Sequence, residues 1–175
     1  MSLSDQTVIT IDYREDVSPD EREAIWSWLL TFFPGDDDEL MPVEDWYVRV
    51  WQDDQWVSMV EIYDHEITVG GMPMRVGGIG GVATDPAYRN RGYASAAMRR
   101  AAQFMFDSLQ MDSALLVCDD HRIPFYQRLG WQPISAPVYS ETNAGRTLFS
   151  GNTLVLLREG IEWPEGEVDL QGAMW

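Results

Sequence analysis

The stretch that most constrains this chain is residues 76–102, VGGIGGVATDPAYRNRGYASAAMRRAA. It reads as a strand, a tight glycine-bearing turn and a helix. Helical spacing places Ala94, Ala97, Met98, Ala101, Ala102, Met105, Phe106 and Leu109 on one buried face. The turn Arg89-Asn90-Arg91-Gly92-Tyr93-Ala94 falls at the helix start. The first N–H groups of a helix have no partner inside it, and the helix dipole is positive there. Such a place accepts an anion, a phosphate above all. Gly92 lets backbone approach a ligand with no Cβ in the way, and Arg89 and Arg91 add positive charge. Gly77, Gly78, Gly80 and Gly81 crowd the strand just before the turn. Interior glycines weaken a strand, so four of them point to a bulge or a close approach.

Around this unit the chain reads as one domain, residues 1–175. Residues 7–13 alternate as a half-buried strand, and Ser18-Pro19-Asp20-Glu21 caps a helix expected to run to about Phe33. Trp46 to Gln52 and Gln55 to Tyr63 form a hairpin around Asp53-Asp54, and Gly70-Gly71 turns a second one. Ala114 to Cys118 is an apolar strand, Pro124 to Gln127 a short helix, and residues 131–134 and 152–157 closing strands. Residues 138–151 read as a polar loop. The fold class is α/β (α+β): a mixed, mostly antiparallel sheet flanked by helices, with one parallel unit at its centre. A ligand is expected where the parallel strands splay, at their C-terminal ends.

The net charge is −17 and the chain has no lysine. Nucleic acid and anionic membranes are therefore poor partners, whereas a polycationic small molecule is attractive. Homodimerisation through exposed tryptophans is possible on composition alone. No apolar run approaches a membrane span and the N-terminus lacks a secretory pattern, so a cytoplasmic location is expected. Cys118 cannot form an internal disulfide and reads as a structural thiol.

Arg89-x-x-Gly92-x-Ala94, following Val82-Ala83-Thr84-Asp85-Pro86, resembles the acetyl-CoA pyrophosphate loop of the GNAT N-acetyltransferases. Pro124-Phe125-Tyr126-Gln127-Arg128-Leu129-Gly130-Trp131, after an apolar strand, is similar to a second element of that family. The likeness covers roughly residues 46–135. It implies a GNAT-type sheet, acetyl-CoA as cosubstrate, no metal, and direct transfer of acetyl to an amine. It also implies that Val82, Ala83, Thr84, Arg89, Asn90, Arg91, Gly92, Tyr93 and Ala94 hold the cofactor, and that Tyr126 protonates the leaving thiolate. The general base stays open among Glu61, Asp64, His65, Asp119 and the carboxylate of Trp175.

A narrower likeness concerns the acceptor. The order Phe33-Pro34-Gly35-Asp36, Asp45-Trp46 and Gly81-Val82-Ala83 is similar to the aminoglycoside 2'-N-acetyltransferases. It implies an aminoglycoside acceptor, antibiotic resistance as the role, and substrate contacts at Asp36, Asp45, Gly80, Gly81 and Trp175. It also puts the tail, residues 158–175, beside the acceptor. The pattern departs at Gly80, where that family carries a glutamate. The Gly-Ile-Gly-Gly-Val-Ala-Thr spelling looks more like the enhanced-intracellular-survival acetyltransferases, which implies a catalytic Trp175 carboxylate. The alternatives are acetylation of a polyamine, an amino acid or a peptide N-terminus, and a non-catalytic acyl-CoA-binding module.

Overall fold

A computed structural model describes residues 7–34 and 42–175. Its axis is a pair of long antiparallel strands, β3 (Gln55–Val69) and β4 (Met72–Thr84). Gly70 and Gly71 join them with φ of 57° and 79°, as a tight hairpin requires. Upstream, β1 (Thr7–Tyr13) pairs with β2 (Trp46–Gln52), and β2 pairs with β3 around Asp53 and Asp54, both at positive φ. Downstream come β5 (Ser113–Cys118), β6 (Gln132–Ile134), β7 (Val138–Thr142), β8 (Gly145–Leu148), β9 (Asn152–Leu157) and β10 (Val168–Asp169). Among the described residues one ten-stranded sheet runs β6-β9-β5-β4-β3-β10-β7-β8, with β1 and β2 attached along β3.

The two parts of the sequence that strand patterns serve least well are the places where the structure differs. Residues 138–151 are not a loop. They fold as the β7–β8 hairpin, with Gly145 at φ 92°. The tail adds β10 between β3 and β7. The first helix, α1 (Pro19–Leu30), starts as expected, with Glu21 N donating to Ser18 Oγ at 3.3 Å. It stops at Leu30 rather than near Phe33, and of its apolar residues Ile25 and Leu29 are buried while Trp26, Leu30 and Phe33 stay exposed.

The sheet has two faces, set by the strand period of two. On one, Val48, Val50, Val60, Ile62 and Ile79 pack under α2 (Tyr93–Gln103) and α3 (Ile123–Gln127). On the other there are two separate apolar clusters. Tyr47, Met59 and Ala83 pack with Ile25 and Leu29 of α1, while Ile67, Val69, Val76 and Leu115 pack with Val138, Val168 and Leu170. Glu61, Tyr63, Gly78 and Gly80 lie between them, at matched register positions of β3 and β4.

The parallel unit is short. Gly77, Gly78 and Ile79 pair with Ala114, Leu115 and Leu116, and the pairing ends there. Immediately beyond, β4 carries a bulge: Glu61 faces Gly80 and Met59 faces Ala83, so Gly81 and Val82 together oppose Val60. Gly81 sits at φ 55°, the left-handed conformation such a bulge uses. β4 therefore turns away from β5 beyond Ile79, and the expected splay is present.

Candidate active site

The splay ends at the loop before α2. Gly92 is the cap residue, at φ 90°, and a Cβ built there would meet nothing within 4 Å. The first bond within the helix runs from Ala96 N to Gly92 O at 3.0 Å, so the preceding amides have no helical acceptor. Arg89 and Arg91 flank the opening and are exposed, as is Asn90. Arg89 Nε donates to Thr84 O at 3.2 Å, and the Arg91 guanidinium lies 5.3 Å from the Tyr88 ring centre. Buried Tyr93 fixes the helix start by donating its hydroxyl to Gln52 Oε1 at 3.1 Å. Ala94 continues the first turn. Val82, Ala83 and Thr84 form the diverging end of β4, held to β3 by Ser58, whose Oγ donates to Ala83 O at 2.9 Å. An open backbone nest with two cations at a helix start fits a pyrophosphate.

Across the splay the structure brings together groups that are scattered in sequence. Glu61 is 7% exposed and lies over the bulge: a Cβ on Gly81 would sit 2.5 Å from its Oε2. Tyr63 donates its hydroxyl to the same oxygen at 2.9 Å. A Cβ on Gly80 would sit 3.0 Å from Tyr63 Cε2. Gly80 and Gly81 thus make room for a carboxylate and a phenol from the neighbouring strand. Burial, then the nearby charge of Glu44, pushes the Glu61 carboxyl up to about 7, against the Tyr63 hydrogen bond, which lowers it. Such a carboxyl can accept a proton near neutral pH. Burial and the Glu61 charge push the Tyr63 phenol far up, so it remains a donor.

Glu61 opens on a cavity of about 290 Å³, lined also by Arg14, Arg22, Glu23, Ile25, Trp26, Glu44 and Tyr47. Tyr47 donates its hydroxyl to Glu44 Oε1, and Arg14 Nε reaches the same oxygen at 3.3 Å. The other base candidates are placed differently. Asp64 forms a two-point ion pair with Arg75, and Asp119 is exposed beside His121. The His65 ring nitrogen is 2.6 Å from Leu170 O.

Trp175 closes the site on the tail side. Its indole stacks on Tyr63 at 5.9 Å, meets His65 edge-on at 5.3 Å and donates from Nε1 to Leu115 O at 3.4 Å. A Cβ on Gly78 would fall 2.5 Å from its ring, and one on Gly80 would fall 3.4 Å from its main-chain carbon. Residues 158–175 therefore reach the trench beside Glu61. Asp45 is turned to a local task, accepting the Asp64 amide on Oδ2 at 2.7 Å, while its neighbour Glu44 faces the cavity. Asp36 lies outside the described residues.

On the opposite side of the sheet, Tyr126 is buried against Phe125 and Trp131. Burial and the Cys118 thiol push its phenol up to about 12, so it carries its proton at neutral pH. Cys118, at the end of β5, is itself pushed up by burial and by Asp119 and Asp120, which suits a structural thiol and not a nucleophile. Among the described residues no helix is long and apolar enough to cross a membrane.

The structure thus presents a parallel strand pair that parts beside an open helix start, with a buried carboxylate across the gap. The chain belongs to the GNAT acetyltransferases: the acetyltransferase (GNAT) domain matches residues 26–134. That family uses acetyl-CoA, and the nest at Gly92 fits it. Three solved structures illustrate the fold. An acyl-CoA N-acyltransferase from Pseudomonas aeruginosa is 22% identical, with 85% of this chain and 98% of that one covered, at a TM-score of 0.63. Escherichia coli ElaA is 17% identical, with 84% and 98% covered, at 0.60. Eis1 from Mycobacterium abscessus is 19% identical over 74% of this chain and 32% of that one, at 0.57. No curated protein matches the sequence.

Proposed function

We propose that the chain is an acetyl-CoA-dependent N-acetyltransferase acting directly on a primary amine of a small molecule. Acetyl-CoA supplies the activated thioester, for which Val82–Thr84 and the Arg89–Ala94 loop are the holding residues. The amine enters from the α1 side through the cavity. Glu61 takes its proton, and its carboxyl is poised near neutrality for that purpose. Tyr126 gives a proton to the departing thiolate, since a phenol held protonated can act as the acid. Trp175 and Tyr63 form the far wall. The observation that carries this reading is the register of Glu61 on Gly80, which brings a buried carboxylate to the point where β4 leaves β5.

A narrower reading, an aminoglycoside held by Asp36, Asp45 and Trp175, is favoured by the net charge of −17 and by the order of motifs. The Asp45 carboxylate is already engaged by a backbone amide, so the support for this reading comes from charge and not from that contact. The test is free-thiol release from acetyl-CoA with a panel of aminoglycosides, polyamines, amino acids and a peptide. Release with at least one amine is expected. Silence across the panel with acetyl-CoA bound would overturn the reading in favour of a binding module.

A further inference from the structure

Arg22 is unusual among the cavity residues. It projects from the first half of α1 and lines the same cavity as Glu61. Its NH1 donates to two backbone carbonyls, Val17 O at 2.8 Å and Arg14 O at 3.2 Å. Among the described residues its Nε and Nη2 make no hydrogen bond, and no carboxylate lies within ion-pair distance of the guanidinium. The other cation of the cavity is spoken for: Arg14 pairs with Glu44 and Glu15. Of the described arginines with no carboxylate within ion-pair distance, Arg22 is the one that lines the cavity of Glu61. Two backbone carbonyls fix one corner of it, so the remaining edge is presented in a set direction. A planar fork with two free donors matches a carboxylate, which it can bind at two points.

The same cavity also holds the opposite chemistry. There Glu61 is buried and meets the diverging end of β4. Of the remaining acids, Glu44 is matched by Arg14 and Tyr47, and Glu23 is exposed. Ile25, Trp26 and Tyr47 add apolar surface to the lining. At about 290 Å³ the cavity stands at the small end of ligand sites.

We infer that the acceptor is a small amino-carboxylate, its carboxylate held by Arg22 and its amine delivered to Glu61. This deepens the proposed acetyl transfer and rests on it for the reaction, but the recognition of the carboxylate is a separate property of the cavity. It narrows the acceptor to a zwitterion with an apolar side chain, in preference to a polycation.

The experiment compares leucine, methionine and phenylalanine with their amides and their decarboxylated amines. It uses thiol release with acetyl-CoA, and calorimetric binding without it. For at least one set, the acid should show kcat/KM about ten- to a hundredfold above the amide, the weight of a charge-assisted contact. Arg22→Gln should erase that preference through KM and leave the amide unchanged, and Arg22→Lys should restore it in part. An unchanged melting temperature confirms that α1 stays docked in the variant. Equal treatment of acid and amide by the wild type, or an equal loss for both in Arg22→Gln, would overturn the inference. So would acetylation of aminoglycosides in preference to every amino acid. If no amine releases thiol, the transfer reading fails. Calorimetry then still decides the cavity: acids binding and amides not binding supports it, and neither binding refutes it.

Discussion

Replacing Glu61 by glutamine should make the protein more stable at alkaline pH while stopping acetyl transfer. The carboxyl is 7% exposed and is raised from the usual 4.5 to about 7, chiefly by burial and next by the charge of Glu44. The folded chain therefore holds this proton more tightly than the unfolded chain. The sign follows: the group costs nothing below about pH 4.5, its cost grows as pH rises towards 7, and above 7 the cost is complete. The size, about 2.5 pH decades at 1.36 kcal/mol each, is roughly 3 kcal/mol. Glutamine has the same shape, can accept the Tyr63 hydroxyl on its amide oxygen, and has no charge to bury. Urea unfolding at pH 8 should show Glu61→Gln more stable than wild type by about 3 kcal/mol, or about 6–12 °C in melting temperature. At pH 4.5 the two should nearly coincide. A variant equally or less stable than wild type at pH 8 would refute the argument that Glu61 is a charge held at a loss for function.

Three other substitutions separate the roles of the site. Tyr126→Phe should lower kcat by about 10²–10⁴-fold with little change in either KM, and wild-type turnover would remove the assigned acid. Gly78→Ala would put a Cβ 2.5 Å from the Trp175 ring. It should displace the tail at a cost of about 1–3 kcal/mol, read as faster hydrogen exchange in residues 168–175, and unchanged exchange would mean that the ring is not seated there. Asp45→Asn keeps an oxygen for the Asp64 amide, so the amine KM should hold within about twofold, whereas a large rise would restore Asp45 as a substrate contact.

Much of the fold is legible in the sequence because local chemistry carries it. Asp53-Asp54 and Gly70-Gly71 mark their hairpins by residue type, Ser18 marks the start of α1, and the glycine turn before α2 marks the anion nest. What is not legible depends on long-range register. The β7–β8 hairpin is largely polar and lies at the sheet edge, so no apolar alternation announces it. β10 pairs through only two residues, Val168 and Asp169, and owes its place to the burial of Val168 and Leu170. Trp26, Leu30 and Phe33 look like core in helical spacing and are exposed, because α1 meets the sheet along Ile25, Trp28 and Leu29.

The site divides in the same way. The proposed cofactor loop can be read from one contiguous motif. The choice of Glu61 among the five candidate bases cannot, because Glu61 acquires its meaning from Gly80 and Gly81, residues that face it only once β3 and β4 pair with a bulge. Gly80 looks like a missing base when the sequence is set beside the aminoglycoside 2'-N-acetyltransferase pattern. In the fold, that glycine is the space into which the next strand's carboxylate and phenol fit. Arg22 escapes sequence reading for a similar reason, since its place in the cavity beside Glu61 is a property of three dimensions.

The central claim is that Glu61 accepts the proton from the acceptor amine. The most direct measurement is kcat/KM for thiol release between pH 5.5 and 9, on wild type and Glu61→Gln, with the best amine of the panel. The account predicts a wild-type profile that rises with pH through about 7, following ionisation of Glu61, and a variant at least about 10²-fold slower that lacks this limb. A variant that keeps both the rate and the limb would contradict it.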